Sequence, residues 1–209
     1  MGATLADLND FITYLNQQIN ICQVNGTWYG QPYVWGAQHT RLTPSNYQTI
    51  INNNEEKVTD RVAAKQYCKR LFDAGMSELF AYDCNGLGMY YWYNLKHLTG
   101  DWNANGMMSN TTLYPDHPKR GWWVFRVRSS DGRAYHVGYM VDDNHTIESQ
   151  GRSTGVIKQE FSSTYWQKWG IPKVLKEVIP APGDPGHTWV HFMSNYLWAP
   201  GGNYFFPQH

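Results

Sequence analysis

Long apolar runs are missing from this chain. The most apolar stretch of note, residues 89–93, falls far short of the roughly 18 residues that a spanning helix needs, so membrane insertion is not expected. Neither sign of charge is in excess: 17 Lys and Arg balance 17 Asp and Glu, which argues against a charge-driven partner such as nucleic acid or an anionic lipid surface. Basic residues are absent before Arg41, whereas a Sec-type export signal begins with a basic segment and an apolar stretch. If the protein works outside a cell, another route is expected to release it. Cysteine is scarce as well. Cys22, Cys68 and Cys84 form an odd set that leaves at least one thiol free, with a Cys22–Cys68 bridge left open.

What the chain has in abundance is aromatic surface. Ten Trp, fifteen Tyr and eight Phe make up 16% of its 209 residues, as much as all charged residues together. Flat rings with polar edges suit a core, sugar rings and extended peptides alike. Once the chemistry below is considered, many of these rings are expected to wall a cleft.

Leu5, Leu8, Phe11, Ile12, Leu15 and Ile19 recur at helical spacing after Thr4, with Asp7 placed to close a capping box. An amphipathic opening helix without basic residues on its polar face is expected to dock on the protein. Residues 25–40 read as loop with short extended pieces. Thr43-Pro44 starts a helix that Asn52-Asn53-Asn54 ends. A long helix is predicted over residues 55–74, closed by Gly75, with Val58, Val62 and Leu71 inward. Its Lys57, Arg61, Lys65 and Lys69 share one face, read as solvated because whole-chain charge is zero.

A third helix is predicted from about Cys84 to about Leu98, with Gly100 beyond its end. Strands follow at residues 122–127 and 134–141, joined by the turn Ser129-Ser130-Asp131-Gly132, then at 146–149 and 156–161. Helices followed by antiparallel strands give an α+β fold with the helices on one face of the sheet. One domain is expected over residues 1–180. Residues 181–209, a Pro- and Gly-rich segment and an aromatic tail, are expected to pack on it.

Three of these residues could carry chemistry together. Cys84 lies at a predicted helix start, where free N–H groups and the helix dipole favour a thiolate. His136 lies on the second strand of the hairpin, and Glu148 on the next strand, twelve residues on. Adjacent antiparallel strands can set the two on one face. A Cys, His, carboxylate set activates the thiol, protonates a leaving amine and fixes the imidazole tautomer. The backbone N–H of Cys84 can serve the oxyanion.

Asp83-Cys84-Asn85-Gly86-Leu87 resembles the Asp-Cys-Ser-Gly-Leu nucleophile segment of the NlpC family of papain-like cell-wall cysteine peptidases. His136-Val137-Gly138-Tyr139 resembles its His-Val-Gly strand, Glu148 falls at its third polar position, and Tyr33-Val34-Trp35-Gly36 resembles its tyrosine-glycine segment. The resemblance implies a papain-like fold and hydrolysis of stem-peptide amides in peptidoglycan, with the bond between D-glutamate and a diamino acid favoured. It implies Cys84 as nucleophile, His136 as base and Glu148 as orienting group, with no metal or cofactor. Tyr33, Trp35, Asp83 and Asn85 are the expected substrate-binding residues, Tyr33 donating its hydroxyl to the oxyanion.

Three departures stand out. Asn85 replaces the usual Ser, which leaves open a substrate still attached to its glycan. Glu148 replaces the commoner His. Residues 37–80 form an insert expected to build a groove wall. The glutamate and the insert are similar to features of phage and prophage lysins, so extracellular action on the bacterial cell wall is expected, with release through a holin, carriage on a virion or membership of a larger protein. Peptidoglycan is the expected partner, joined in those settings by phage tail proteins or a separate wall-binding module.

Other readings compete with this one. His187 and His191, with Asp184 ahead, have the spacing of a zinc pair, but Pro185-Gly186 and β-prone Thr188, Trp189 and Val190 oppose the helix it needs. A wall-binding module without chemistry would use Trp28, Trp35, Trp189 and Trp198 to stack on sugars. An amidase or acyltransferase of the same fold would keep the chemistry and change the substrate.

Overall fold

The computed structural model describes residues 2–183, and the compact unit discussed below ends at Ile179. Asp184, His187, His191, Trp189, Trp198 and the tail expected to pack on the domain lie outside the described residues.

The chain opens with α1 (Leu5–Gln17), β1 (Cys22–Val24), β2 (Thr27–Tyr29) and β3 (Gln38–Leu42). There follow α2 (Tyr47–Asn54), α3 (Val58–Asp73), β4 (Leu79–Tyr82) and the short α4 (Gly86–Met89), which runs on as a π-helix over Tyr90–Leu95. The rest is α5 (Ala104–Ser109), β5 (Thr111–Leu113), β6 (Trp123–Val127), β7 (Ala134–Met140), β8 (His145–Gly151), β9 (Gly155–Glu160), β10 (Lys168–Pro172) and a 3-10 turn, Lys173–Leu175. Six of the strands make one antiparallel sheet in the order β5, β10, β6, β7, β8, β9. The α+β architecture read from the sequence is the one observed.

The opening helix forms as expected. Thr4 and Asp7 exchange capping-box hydrogen bonds, and Leu8, Phe11 and Leu15 are fully buried. Phe11 carries the helix into the core. Its ring centroid lies 4.9 Å from that of Trp92 and 5.4 Å, edge-on, from that of Tyr139. Among the described residues no helix is long and apolar enough to cross a membrane.

Three helix expectations need correction. The helix over 55–74 starts later, at Val58, and its phase differs: Val58 and Val62 are exposed, while Ala64, Tyr67, Cys68 and Leu71 are buried. The Tyr67 hydroxyl donates to the Gly30 carbonyl at 2.9 Å, and the stripe 64, 67, 68, 71 keeps helical spacing around that anchor. The helix predicted from Cys84 begins at Gly86 and widens into the π form at Tyr90. Successive residues of the wider helix lie closer in angle, which lets Tyr91 and Trp92 both turn inward and become buried. It ends at Leu95, short of the expected Leu98, with Lys96 as its cap and His97 in the left-handed region at φ 55°.

Among the described residues, most aromatic rings are buried in or packed against the core rather than lining the cleft. Trp92, Trp122, Trp123, Trp166, Tyr82 and Tyr139 are all within 1% of complete burial. The insert makes a second apolar cluster, in which Leu42, Tyr47, Ile51, Ala64 and Leu71 pack with Val34 and Ala37. All three cysteines are free, so the Cys22–Cys68 bridge is not formed.

The nucleophile-bearing segment meets the sheet without clearance at Gly88. A Cβ there would lie 2.4 Å from the Tyr139 hydroxyl. Gly88→Ala is therefore expected to destabilise the fold by about 1–3 kcal/mol, the usual cost of overpacking. Chemical denaturation checks this, and an unchanged midpoint would show that the helix can shift freely on the sheet.

Candidate functional site

Cys84 sits on the bend between β4 and α4. The bend is built by Asp83, whose Oδ1 accepts the Gly86 N–H at 2.6 Å and whose Oδ2 accepts the Gly36 N–H at 3.0 Å. One carboxylate thus satisfies the first turn of the helix and pins the Tyr33–Gly36 segment beside it. The same segment is stitched to β4 by backbone bonds, with the Val34 N–H donating to Tyr82 and the Asp83 N–H to Ala37. Gly36 has φ of 70°, a conformation that favours glycine.

Asp83 is buried, and burial raises its carboxyl to about 6 against the pull of the Gly86 and Gly36 N–H groups. Burial also pushes the Cys84 thiol up to about 12, and the Asp83 charge adds to that. The Asn85 and Val137 backbone N–H groups act in the other direction. The expected stabilisation of a free thiolate by the helix start is outweighed by burial: Cys84 lies one residue before the helix N-cap, Asn85. The thiol instead points to the Asn85 side-chain oxygen at 3.9 Å.

His136 and Glu148 are brought together on neighbouring strands. β7 and β8 pair with Tyr139 opposite Ile147, which puts His136 and Glu148 on one face, and His136 Nε2 is hydrogen-bonded to Glu148 Oε2. The carboxylate is fully buried and the imidazole nearly so. With Nε2 occupied, Nδ1 is the ring nitrogen left to exchange a proton with a thiol. Val137, next in the chain, is the residue whose N–H acts on the Cys84 sulfur. The imidazole lies parallel to Trp166, ring centroids 5.6 Å apart and planes 7° apart. Trp166 was not foreseen. Its signal is Gly138, where a Cβ would lie 2.7 Å from the Trp166 ring; a glycine inside a central strand marks such a close approach.

The remaining expected residues divide. Tyr33 is buried, and burial together with the nearby Cys84 raises its hydroxyl well above the usual tyrosine range, so it stays a donor. Trp35 is 55% exposed and, with Cys84, Asn85, Tyr135, Arg128 and Arg133, lines an open cleft of about 390 Å³. Asp83 has both oxygens committed to backbone, so it shapes the site from below.

The insert contributes at one remove. Its Glu55 accepts the Trp35 N–H at 2.9 Å, and its Asn54 donates to the Trp35 carbonyl at 2.9 Å. Buried Glu55 also holds Arg152 through three contacts of 2.8–3.1 Å, and the guanidinium lies 4.6 Å over the Tyr33 ring. No local pattern marks this pair, because its members are 97 residues apart.

For Asp83 the sign of the pH effect is definite. Its folded value lies above the ordinary 3.8, so the stability it contributes is complete below that ordinary value and is lost as pH rises through about 6. Asp83→Asn removes this loss. Denaturation midpoints at about pH 4 and about pH 7 are expected to fall more in the wild type than in the variant across that interval; parallel behaviour would refute the buried charge.

A family model described as the NlpC/P60 family matches residues 30–173. The chain is also similar to solved structures. One is the P60 domain of an antigen from M. avium subspecies paratuberculosis (14% identity, TM-score 0.48, covering 81% of this chain and 96% of that one). Another is the NlpC/p60 domain of the peptidoglycan hydrolase SagA (13%, 0.45, 78% and 97%). A third is the peptidoglycan hydrolase RipB from Mycobacterium tuberculosis (14%, 0.46, 80% and 67%). No curated protein matches the chain.

Proposed function

The chain belongs to the NlpC/P60 family, and from that premise we propose that it is a cysteine peptidase that hydrolyses stem-peptide amides of peptidoglycan through Cys84, His136 and Glu148. The observation that carries the reading is the buried His136–Glu148 hydrogen bond, formed through Nε2 so that Nδ1 is left for the thiol. A thiol pushed up to about 12 by burial does not ionise alone, so its proton passes to His136 as sulfur attacks the amide carbon. Glu148 accepts from the imidazolium that forms. The tetrahedral oxyanion is met by the Cys84 backbone N–H and the Tyr33 hydroxyl. Collapse breaks the C–N bond, and His136 returns the proton to the departing amine. Water, deprotonated by His136, then opens the thioester to give a carboxylic acid and restores the thiol.

Arg128 and Arg133 in the cleft favour an anionic peptide, which supports stem peptides and, within them, the amide between D-glutamate and a diamino acid. The glutamate at position 148 and the insert favour a phage or prophage lysin acting on the wall from outside.

Digestion of purified cell walls by the wild type and by Cys84→Ala, with mass spectrometry of the fragments, tests the assignment. Release by the wild type alone, with new termini at D-glutamate, is expected; equal release by both proteins would sink it. Glu148→Ala is expected to lower kcat by on the order of 10²-fold or more with little change in KM. An unchanged kcat would remove Glu148 from the site.

A further inference from the structure

Glu148 is a charge-bearing group with no exposed surface, and such a group persists only if its oxygens are met by donors. His136 supplies one. Two more come from residues outside every motif described above. The Gln159 side-chain amide on β9 donates to Glu148 Oε1, and the Tyr165 hydroxyl donates to Oε2 at 3.0 Å. Gln159 reaches the carboxylate from the neighbouring strand, where it stands opposite Thr146.

Tyr165 arrives on a stiff loop. The backbone N–H groups of Tyr165 and Trp166 both donate to the Ser162 carbonyl, at 3.1 and 2.9 Å, and the Gln167 N–H donates to Phe125 on β6 at 3.0 Å. The Arg126 guanidinium caps the Tyr165 ring at 4.5 Å, and Arg126 is itself the cross-strand partner of His136. One dipeptide therefore delivers a hydroxyl to the carboxylate and, through Trp166, a ring beneath the imidazole. The two rings meet edge-on at 4.8 Å.

We infer that Gln159 and Tyr165 are positioning residues that hold Glu148 as a pure acceptor, and thereby hold His136 in the tautomer that carries its proton on Nε2. The logic is one of saturation. Gln159 and Tyr165 present N–H and O–H donors, so the carboxylate is used most fully when it accepts from all three neighbours. A carboxylate fixed at both oxygens cannot rotate away, and the imidazole it binds keeps Nδ1 unprotonated. The charged group packed beside this network is Arg126 on β6. The role in turnover rests on the proposed peptidase reading, whereas the tautomer can be read without any substrate.

Tyr165→Phe keeps the ring against Trp166 and Arg126 and removes only the hydroxyl; Gln159→Ala removes the other donor. In protein with 15N-labelled imidazoles, the wild type is expected to show His136 with its proton on Nε2. Each variant is expected to populate the Nδ1–H form. On cell walls each is expected to lose roughly tenfold in kcat at nearly constant KM, the worth of one charge-assisted hydrogen bond. Variants that keep the wild-type tautomer and kcat would overturn the inference. An inert wild type whose His136 tautomer still depends on Tyr165 and Gln159 would instead overturn the peptidase reading and leave the positioning role standing.

Discussion

One buried hydroxyl joins the two halves of the site. Tyr139 on β7 accepts the Gly88 N–H at 3.0 Å and donates to the Cys84 carbonyl at 3.2 Å. The Gly88 N–H lies in the first turn of α4, where it is shared with the Asn85 carbonyl at 3.1 Å, and the Cys84 carbonyl lies just before that turn. Because Tyr139 lies three residues after His136 on the same strand, this hydroxyl ties the segment bearing the thiol to the strand bearing the imidazole. The helix cannot move away from the sheet without taking partners from the buried Tyr139 hydroxyl. Gly88 allows the approach, and Phe11 closes the other side of the Tyr139 ring.

The parts of this design that were legible in the sequence are those encoded locally. The capping box of Thr4 and Asp7, the strand at residues 134–141 and the turn before Gly132 each depend on a few adjacent residues, and each formed as expected. The Cys84, His136 and Glu148 segments were visible for the same reason. β4, β5, β10 and α5 were not foreseen. β5 has three residues and pairs with β10, more than fifty residues later, so nothing near either one announces a strand. The phase of α3 was misjudged because Val58 and Val62 look more apolar than Ala64 and Tyr67, yet the tyrosine has a hydroxyl that reaches Gly30.

The insert shows how sequence distance hides function-bearing geometry. Residues 37–80 were expected to form a groove wall; Trp35, just before them, lines the cleft at Cys84, and Glu55, Glu56, Lys57 and Asp60 of the insert line a neighbouring pocket that Trp35 also borders. What the insert supplies is rigidity: Asn54 and Glu55 take both backbone polar groups of Trp35. Glu55 also pairs with half-buried Arg152, and removing the arginine would leave a buried carboxylate without its counter-charge. An exposed ring with a fixed backbone can present one face to a ligand at little entropic cost. The second apolar cluster, centred on Ile51 and Leu71, gives that clamp its own foundation.

Burial sets the order of proton movement in the proposed reaction. Asp83, Cys84 and Glu148 are all removed from solvent, yet they meet that burial in different ways. Asp83 is held by backbone N–H groups and still titrates high, at about 6; above that value its charge opposes a thiolate on Cys84. Glu148 is surrounded by three side-chain donors. A negative charge on the sulfur is therefore disfavoured by burial and by Asp83, while the His136 N–H meets a fixed acceptor in Glu148. The arrangement that reconciles these two constraints is a thiol that stays protonated until substrate arrives. Its proton then leaves through His136 in the same event that makes the carbon–sulfur bond, and the negative charge passes to the substrate oxygen, where the protonated Tyr33 hydroxyl is the donor assigned to it.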